Sequence, residues 1–86
     1  MAGPGLLRQQ LAEMIATASD GDVSVVDVLA DRHTLSVLGL TSLARIRLID
    51  AIEDSFGVDL DLDEDLSSFE HVNTLAARLA DLLAAR

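Results

Sequence analysis

The spacing of the apolar residues is the feature that most constrains this chain. In three stretches they recur at intervals of three and four residues, which is the pattern of an amphipathic helix. The stretches predict helices over about residues 6–18, 42–56 and 74–85. The apolar stripes are Leu7, Leu11, Met14, Ile15 and Ala18; then Leu48, Ile49, Ile52 and Phe56; then Leu75, Leu79, Leu82 and Leu83. With many Leu and Ala residues and only two aromatics, we expect an all-α fold around an aliphatic core.

The segments between these helices are harder to assign from the sequence. Residues 23–29 suggest a short strand or a helical turn, within a long loop between the first two helices. Four apolar residues are expected to pin the end of this loop to the core: Leu35, Val37, Leu38 and Leu40. Residues 58–65 alternate between apolar and acidic, which favours an extended loop with buried leucines, and residues 66–70 predict one short helix. Gly57 suits a helix C-cap, and Asn73 or Thr74 can cap the last helix.

Length and charge narrow the classes of function. Eighty-six residues fit one small domain over residues 1–86, which we expect to be free-standing. The net charge of -9 makes nucleic acid and anionic membranes poor partners and favours a basic patch on another protein. Without cysteine there is no disulfide, thiolate metal site or cysteine nucleophile. With neither a membrane-spanning apolar stretch nor a signal peptide, we expect a cytoplasmic protein.

Ser42 is the candidate functional residue, because it lies at the start of the second predicted helix, just after a loop that contains glycine. A phosphate on its hydroxyl would be stabilised there by unpaired backbone N–H groups and by the helix dipole. The alternative is that Ser42 is an ordinary N-cap. Leu43, which follows it, lies among charged residues of the same helix, including Arg47, Asp50 and Asp54, where an apolar side chain gains nothing in an isolated domain.

The order and spacing of these motifs resemble the acyl and peptidyl carrier protein family. The run Leu-Gly-x-x-Ser-Leu occupies residues 38–43, and the pattern Ile-x-Leu-Ile-x-x-Ile-Glu-x-x-Phe-Gly-Val occupies residues 46–58. A Phe-Glu pair at 69–70 and a Thr-Leu pair at 74–75, followed by Leu79, complete the pattern. The resemblance extends from the first predicted helix to Leu83.

The resemblance implies a four-helix carrier-protein bundle, with three main helices and a short third one, that is monomeric and has no catalysis of its own. A phosphopantetheinyl transferase would attach 4′-phosphopantetheine from coenzyme A to Ser42, and the thiol of that arm would carry acyl or aminoacyl groups as thioesters. The expected partners are this transferase, an acyl or aminoacyl ligase or adenylation enzyme, and synthase or tailoring enzymes. They would dock on a mixed face that comprises Thr41, Leu43, Arg47, Asp50 and Asp54.

Two departures from the family pattern bear on the pathway. Many members have Asp directly before the serine, where this chain has Thr41, and that Asp is associated with the metal of the transferase. Fatty-acid carriers are mostly acidic where this chain has Arg45 and Arg47. Both departures favour polyketide-type or nonribosomal-peptide-type biosynthesis over fatty-acid synthesis.

Another reading takes the chain as an unmodified helical interaction module or a module that responds to divalent cations. Asp59, Asp61, Asp63 and Glu70 have the spacing of calcium ligands in an EF-hand. The sixth position of that loop should be glycine and is Glu64, so we expect no such metal site.

A serine hydrolase is a third reading, with Ser42 as nucleophile and His33 or His71 as base. The chain lacks the Gly-x-Ser-x-Gly turn that presents such a nucleophile, and its core is small for a substrate pocket. We therefore expect no enzyme activity.

Overall fold

A computed structural model describes residues 4–60 and 70–85, and all regular structure within these ranges is helical. This confirms the all-α prediction. The described ranges contain five helices: α1 (Pro4–Ala18), α2 (Val25–Ala30), α3 (Leu35–Leu38), α4 (Ser42–Phe56) and α5 (Val72–Ala84). None of the helices in these ranges is long and apolar enough to cross a membrane.

The core lies where α1 packs against α2, α4 and α5. It is aliphatic, as the helical stripes predict. Its largest fully buried side chains are Leu11, Ile15, Val23, Val28, Leu35, Leu48, Ile52, Val72, Leu75 and Leu79. Every described helix contributes at least one of them, so the two short helices are also part of the core.

The long loop expected between the first two main helices contains α2 and α3. Of the two alternatives for residues 23–29, the helical one is correct, because residues 25–30 form α2 and not a strand. Both helices have a hydroxyl N-cap: Ser24 accepts a hydrogen bond from the N–H of Asp27, and Thr34 accepts one from Val37. Both end at a residue in the left-handed conformation, Asp31 (φ 52°) and Gly39 (φ 114°). Caps at both ends make such short helices stable against the core, although they are too short for an apolar period.

The expected anchors of this segment are correct in part. Leu35 and Leu40 are buried, and Leu38 packs against the core at its edge. Val37 is 70% exposed, so its prediction as an anchor was wrong. The reason is helical geometry, because α3 turns Val37 away from the side on which Leu35 enters the core.

The last helix begins earlier than the sequence suggests. Its first residue is the buried Val72, and its N-cap position is His71, which makes no side-chain capping bond. Neither Asn73 nor Thr74 is the cap, and the amide of Asn73 instead donates to Asp31 at 3.0 Å. This contact links the start of α5 to the end of α2.

The expected short helix at 66–70 lies outside the described residues except for Glu70, as does most of the acidic stretch at 58–65. Of the described part, Val58 is buried and Leu60 packs against the core. The carboxylate of Glu53 accepts a hydrogen bond from the N–H of Leu60 at 3.0 Å, so this acidic residue of α4 holds the chain that follows the helix.

Candidate functional site

Thr41, and not Ser42, is the N-cap of α4. Its backbone is extended (φ -75°, ψ 168°), and its Oγ1 accepts a hydrogen bond from the N–H of Ala44 at 3.1 Å. Ser42 is the first residue of the helix, and its side chain is exposed. The interpretation of Ser42 as the N-cap was therefore wrong, because Thr41 occupies the N-cap position. Within the described ranges the Ser42 hydroxyl makes no hydrogen bond.

The backbone around Ser42 offers donors to an anion. The N–H groups of Ala44 and Arg45 are both satisfied by Thr41, through its side chain and its carbonyl oxygen. Those of Ser42 and Leu43 have no acceptor among the described residues. Two free N–H groups at the positive end of a fifteen-residue helix suit a phosphate diester linked to the adjacent hydroxyl.

Buried residues on either side fix the position of Ser42. Leu40 is 4% exposed, and its N–H donates to the carbonyl of Leu35 at 2.9 Å. Ala44 and Leu48 bury the inner face of α4. Gly39 allows the turn between α3 and α4 because its φ of 114° is rarely adopted by other residues. A Cβ there would meet open space, so the glycine is required by its backbone conformation and not by a close neighbour.

A polar cluster next to the site joins three parts of the chain. The Arg45 guanidinium donates to Ser36 Oγ at 2.8 Å and to Glu70 Oε1 at 2.7 Å, and Ser36 Oγ donates to the same carboxylate oxygen at 2.8 Å. Partial burial opposes ionisation of Glu70, but the hydrogen bonds from Arg45 and Ser36 and the positive charge of Arg45 outweigh it and lower the pKa of this carboxyl. The cluster therefore holds α3 and the segment before α5 against the first turn of α4.

The cluster separates the roles of the two arginines that depart from the family pattern. The Arg45 side chain is only 15% exposed and is engaged within the fold. Sequence spacing gives no sign of the contact, because Glu70 lies 25 residues away. Arg47 is the exposed one of the two, with its Nη1 3.4 Å from Asp20 Oδ2.

The mixed face is open to solvent. All five of its predicted members are exposed: Thr41, Leu43, Arg47, Asp50 and Asp54. Leu43 is 58% exposed directly after Ser42, and Ile46, one helical turn further on, is 53% exposed. Two large apolar side chains without cover beside a charged surface are typical of a protein-contact site.

The histidines are not arranged for a hydrolase. His71 Nδ1 is 2.9 Å from Asp31 Oδ1, so this pair ties the end of α2 to the start of α5, and His33 is an exposed residue between α2 and α3. Neither makes a hydrogen bond with Ser42 within the described ranges. In the described ranges no group of three His or acidic residues could hold a metal ion, and the EF-hand positions 61, 63 and 64 lie outside those ranges.

Comparison with known proteins identifies the family. No curated protein sequence matches the chain. A family model described as the phosphopantetheine attachment site matches residues 7–79, which is most of the chain. Members carry a covalently attached 4′-phosphopantetheine group, are generally non-catalytic, and generally interact with phosphopantetheinyl transferases and with synthase or ligase enzymes. The chain belongs to this family of phosphopantetheine-bearing carrier domains.

Proposed function

We propose that Ser42 is the attachment residue, and that the chain is a non-catalytic carrier of acyl or aminoacyl groups in polyketide-type or nonribosomal-peptide-type biosynthesis. One observation carries the proposal: Ser42 is exposed at the first position of α4 while Thr41 caps the helix. A hydroxyl with no structural task can be modified without loss of the fold.

The attachment step needs an outside enzyme. The Ser42 Oγ–phosphorus bond forms as the pyrophosphate bond of coenzyme A breaks, 3′,5′-adenosine bisphosphate leaves, and the hydroxyl proton passes to a base of the transferase. Within its described part, this chain places no base in hydrogen-bond contact with the Ser42 hydroxyl. Its own contribution is to present the hydroxyl and to stabilise the new phosphodiester with the free N–H groups of Ser42 and Leu43.

The arm supplies a thiol that forms a thioester with the cargo. The chain has no cysteine, so no side chain of the protein competes for that thioester by thiol exchange. Glu70, which could otherwise act as a base, is engaged by Arg45 and Ser36.

The mixed face would receive the transferase and the enzymes that load and process the cargo. Leu43 and Ile46 supply exposed apolar area, and Arg47, Asp50 and Asp54 supply a charge pattern around it. Such a pattern chiefly sets the choice of partner and the association rate. The exposed Arg47 supports the assignment to secondary metabolism, whereas Arg45 no longer does, because it is engaged by Glu70 and Ser36.

The test is modification in vitro. The purified protein is incubated with coenzyme A, magnesium and a promiscuous phosphopantetheinyl transferase, and its intact mass is recorded. We expect the wild type and the control Ser55→Ala, which removes another exposed hydroxyl, to gain one phosphopantetheine, and Ser42→Ala to gain none.

Two results would contradict the proposal. A gain by Ser42→Ala would place the arm elsewhere. No gain by the wild type with several transferases, together with tight stoichiometric calcium binding in calorimetry, would favour the unmodified cation-responsive module.

A further inference from the structure

A groove runs between α1 and α4, and nothing described so far assigns it a role. Its volume is about 670 Å³, within the range of about 300–1,000 Å³ that is common for small-molecule sites. Met14, Ala51 and Phe56 give it an apolar floor, while Glu13 and Arg47 belong to its polar rim. We call it the α1–α4 groove.

The groove is continuous with the surface beside Ser42. A smaller depression of about 120 Å³ is lined by Thr41 and Leu43, the two neighbours of Ser42. The depression and the α1–α4 groove share three lining residues, Ala18, Asp20 and Arg47. The two depressions therefore adjoin at these residues, and the path from Ser42 into the groove passes the Asp20–Arg47 pair.

We propose that the α1–α4 groove holds the distal end of the phosphopantetheine arm together with a short aminoacyl cargo. This inference rests on the proposed function, because it needs the arm on Ser42. Of the acyl and aminoacyl groups named in the proposed function, it selects the aminoacyl group, which carries a free ammonium.

The charges around the groove favour a cation. Asp20 pairs with Arg47, whereas the Glu13 side chain has no ion pair or hydrogen bond within the described ranges. The rim thus has one unbalanced carboxylate, in a chain whose net charge is -9. An aminoacyl thioester brings one ammonium and no carboxylate, so it would gain from Glu13, whereas an acyl group that ends in a carboxylate would be repelled.

The ion pair at the junction can open. Arg47 and Asp20 are 53% and 83% exposed and 3.4 Å apart, so their attraction is screened by water and is weak. Movement of the Arg47 side chain would widen the passage between the depression and the groove at little cost. The arm's amide groups would meet polar rim atoms, and the cargo's side chain would cover the Met14 and Phe56 floor.

The test compares three forms of the protein by two-dimensional amide NMR. One carries an arm with an amide-linked alanyl group, which mimics the thioester but does not hydrolyse. The second carries its N-acetylated form, which lacks the ammonium, and the third carries the arm alone. Loading is verified first by intact mass, so a failure to load contradicts the proposed function before any spectrum is recorded.

We expect the alanyl form to shift the amides of Met14, Ala51 and Phe56, and the acetylated form to shift them less. Glu13→Gln should lower the groove-bound fraction of the alanyl form by about 1.5-fold to 5-fold, which is the usual range for one exposed charge pair. The matched control Asp81→Asn removes an exposed carboxylate from α5, outside both the groove and the mixed face, and should leave the shifts unchanged.

Shifts confined to Ser42 and its immediate neighbours in a loaded protein would overturn the proposal while leaving the carrier function intact. Equal groove shifts in the alanyl and acetylated forms, with no effect of Glu13→Gln, would likewise overturn the assignment of an aminoacyl cargo.

Discussion

Two adjacent substitutions should separate the residue that stabilises α4 from the residue that is modified. Thr41→Ala removes the acceptor for the Ala44 N–H, a bond of 3.1 Å at the helix N-terminus. Loss of such a cap costs about 1 kcal/mol, within a range of about 0.5–2 kcal/mol. For a domain of this size, the melting temperature should fall by about 4–8 °C per kcal/mol. Ser42→Ala removes an exposed hydroxyl that makes no hydrogen bond to the described residues, so its effect should stay within about 0.5 kcal/mol.

The assay is urea unfolding followed by far-UV circular dichroism, on unmodified protein so that the arm makes no contribution. Thr41→Ser and Thr41→Asp serve as controls, because both side chains can accept the same N–H and both should keep near-wild-type stability. Thr41→Asp also restores the residue that many carriers have before the serine. The reasoning would be refuted if Ser42→Ala were as destabilising as Thr41→Ala.

Three further predictions test the surface, the polar cluster and the core. Leu43→Ala should slow modification by the transferase with little change in the free energy of unfolding, since Leu43 is 58% exposed; unchanged kinetics would remove it from the docking surface. The bonds to Glu70 stabilise the fold fully above the ordinary pKa of this carboxyl, 4.5, and this effect is lost as pH falls through its lowered pKa. The difference in free energy of unfolding between wild type and Glu70→Gln, measured in urea, should therefore shrink below about pH 4.5. A difference that stays constant with pH would contradict this. Leu48→Ala should cost about 2–5 kcal/mol because Leu48 is fully buried, and a loss under 1 kcal/mol in the same assay would place it outside the core.

The parts of the fold that could be predicted are those that repeat. α1 and α4 each bury a stripe of aliphatic residues at helical spacing over fifteen residues, long enough for the period to be visible in the sequence. The end of α4 could also be predicted, because glycine is the usual C-cap residue. The structure confirms it: Gly57 is the C-cap of α4 and has a left-handed conformation (φ 65°).

The two short helices, α2 and α3, show no such helical spacing of apolar residues in the sequence. α2 has six residues and α3 has four, which is too few to show a period. Their only local signs are Ser24 and Thr34, each of which accepts an N–H three residues later. Hydroxyl residues are also common in loops, so these caps become informative only once the helices are known.

The contacts between residues far apart in the chain could not be predicted from the sequence. Asp31 meets His71 and Asn73 across 40 and 42 residues, at the start of α5. Arg45 meets Glu70 across 25 residues, and its side chain is only 15% exposed. Such pairs depend on how the helices pack.

At the candidate site, sequence reasoning found Ser42 but left its role divided between cap and modified residue. Thr41 and Ser42 are both good caps, and only the backbone shows that the helix begins at the second of them. Because the helix begins at Ser42 and not one residue later, Thr41 is the cap and the Ser42 hydroxyl is exposed.

Tandem mass spectrometry of the modified protein tests the central claim most directly, because it assigns the arm to one residue. The protein is incubated with coenzyme A and a transferase, digested, and its peptides are fragmented to locate the added phosphopantetheine. We predict that the group lies on Ser42 in every modified peptide. Location on another hydroxyl, such as Thr41 or Ser36, would contradict the claim that the structure presents Ser42 for modification.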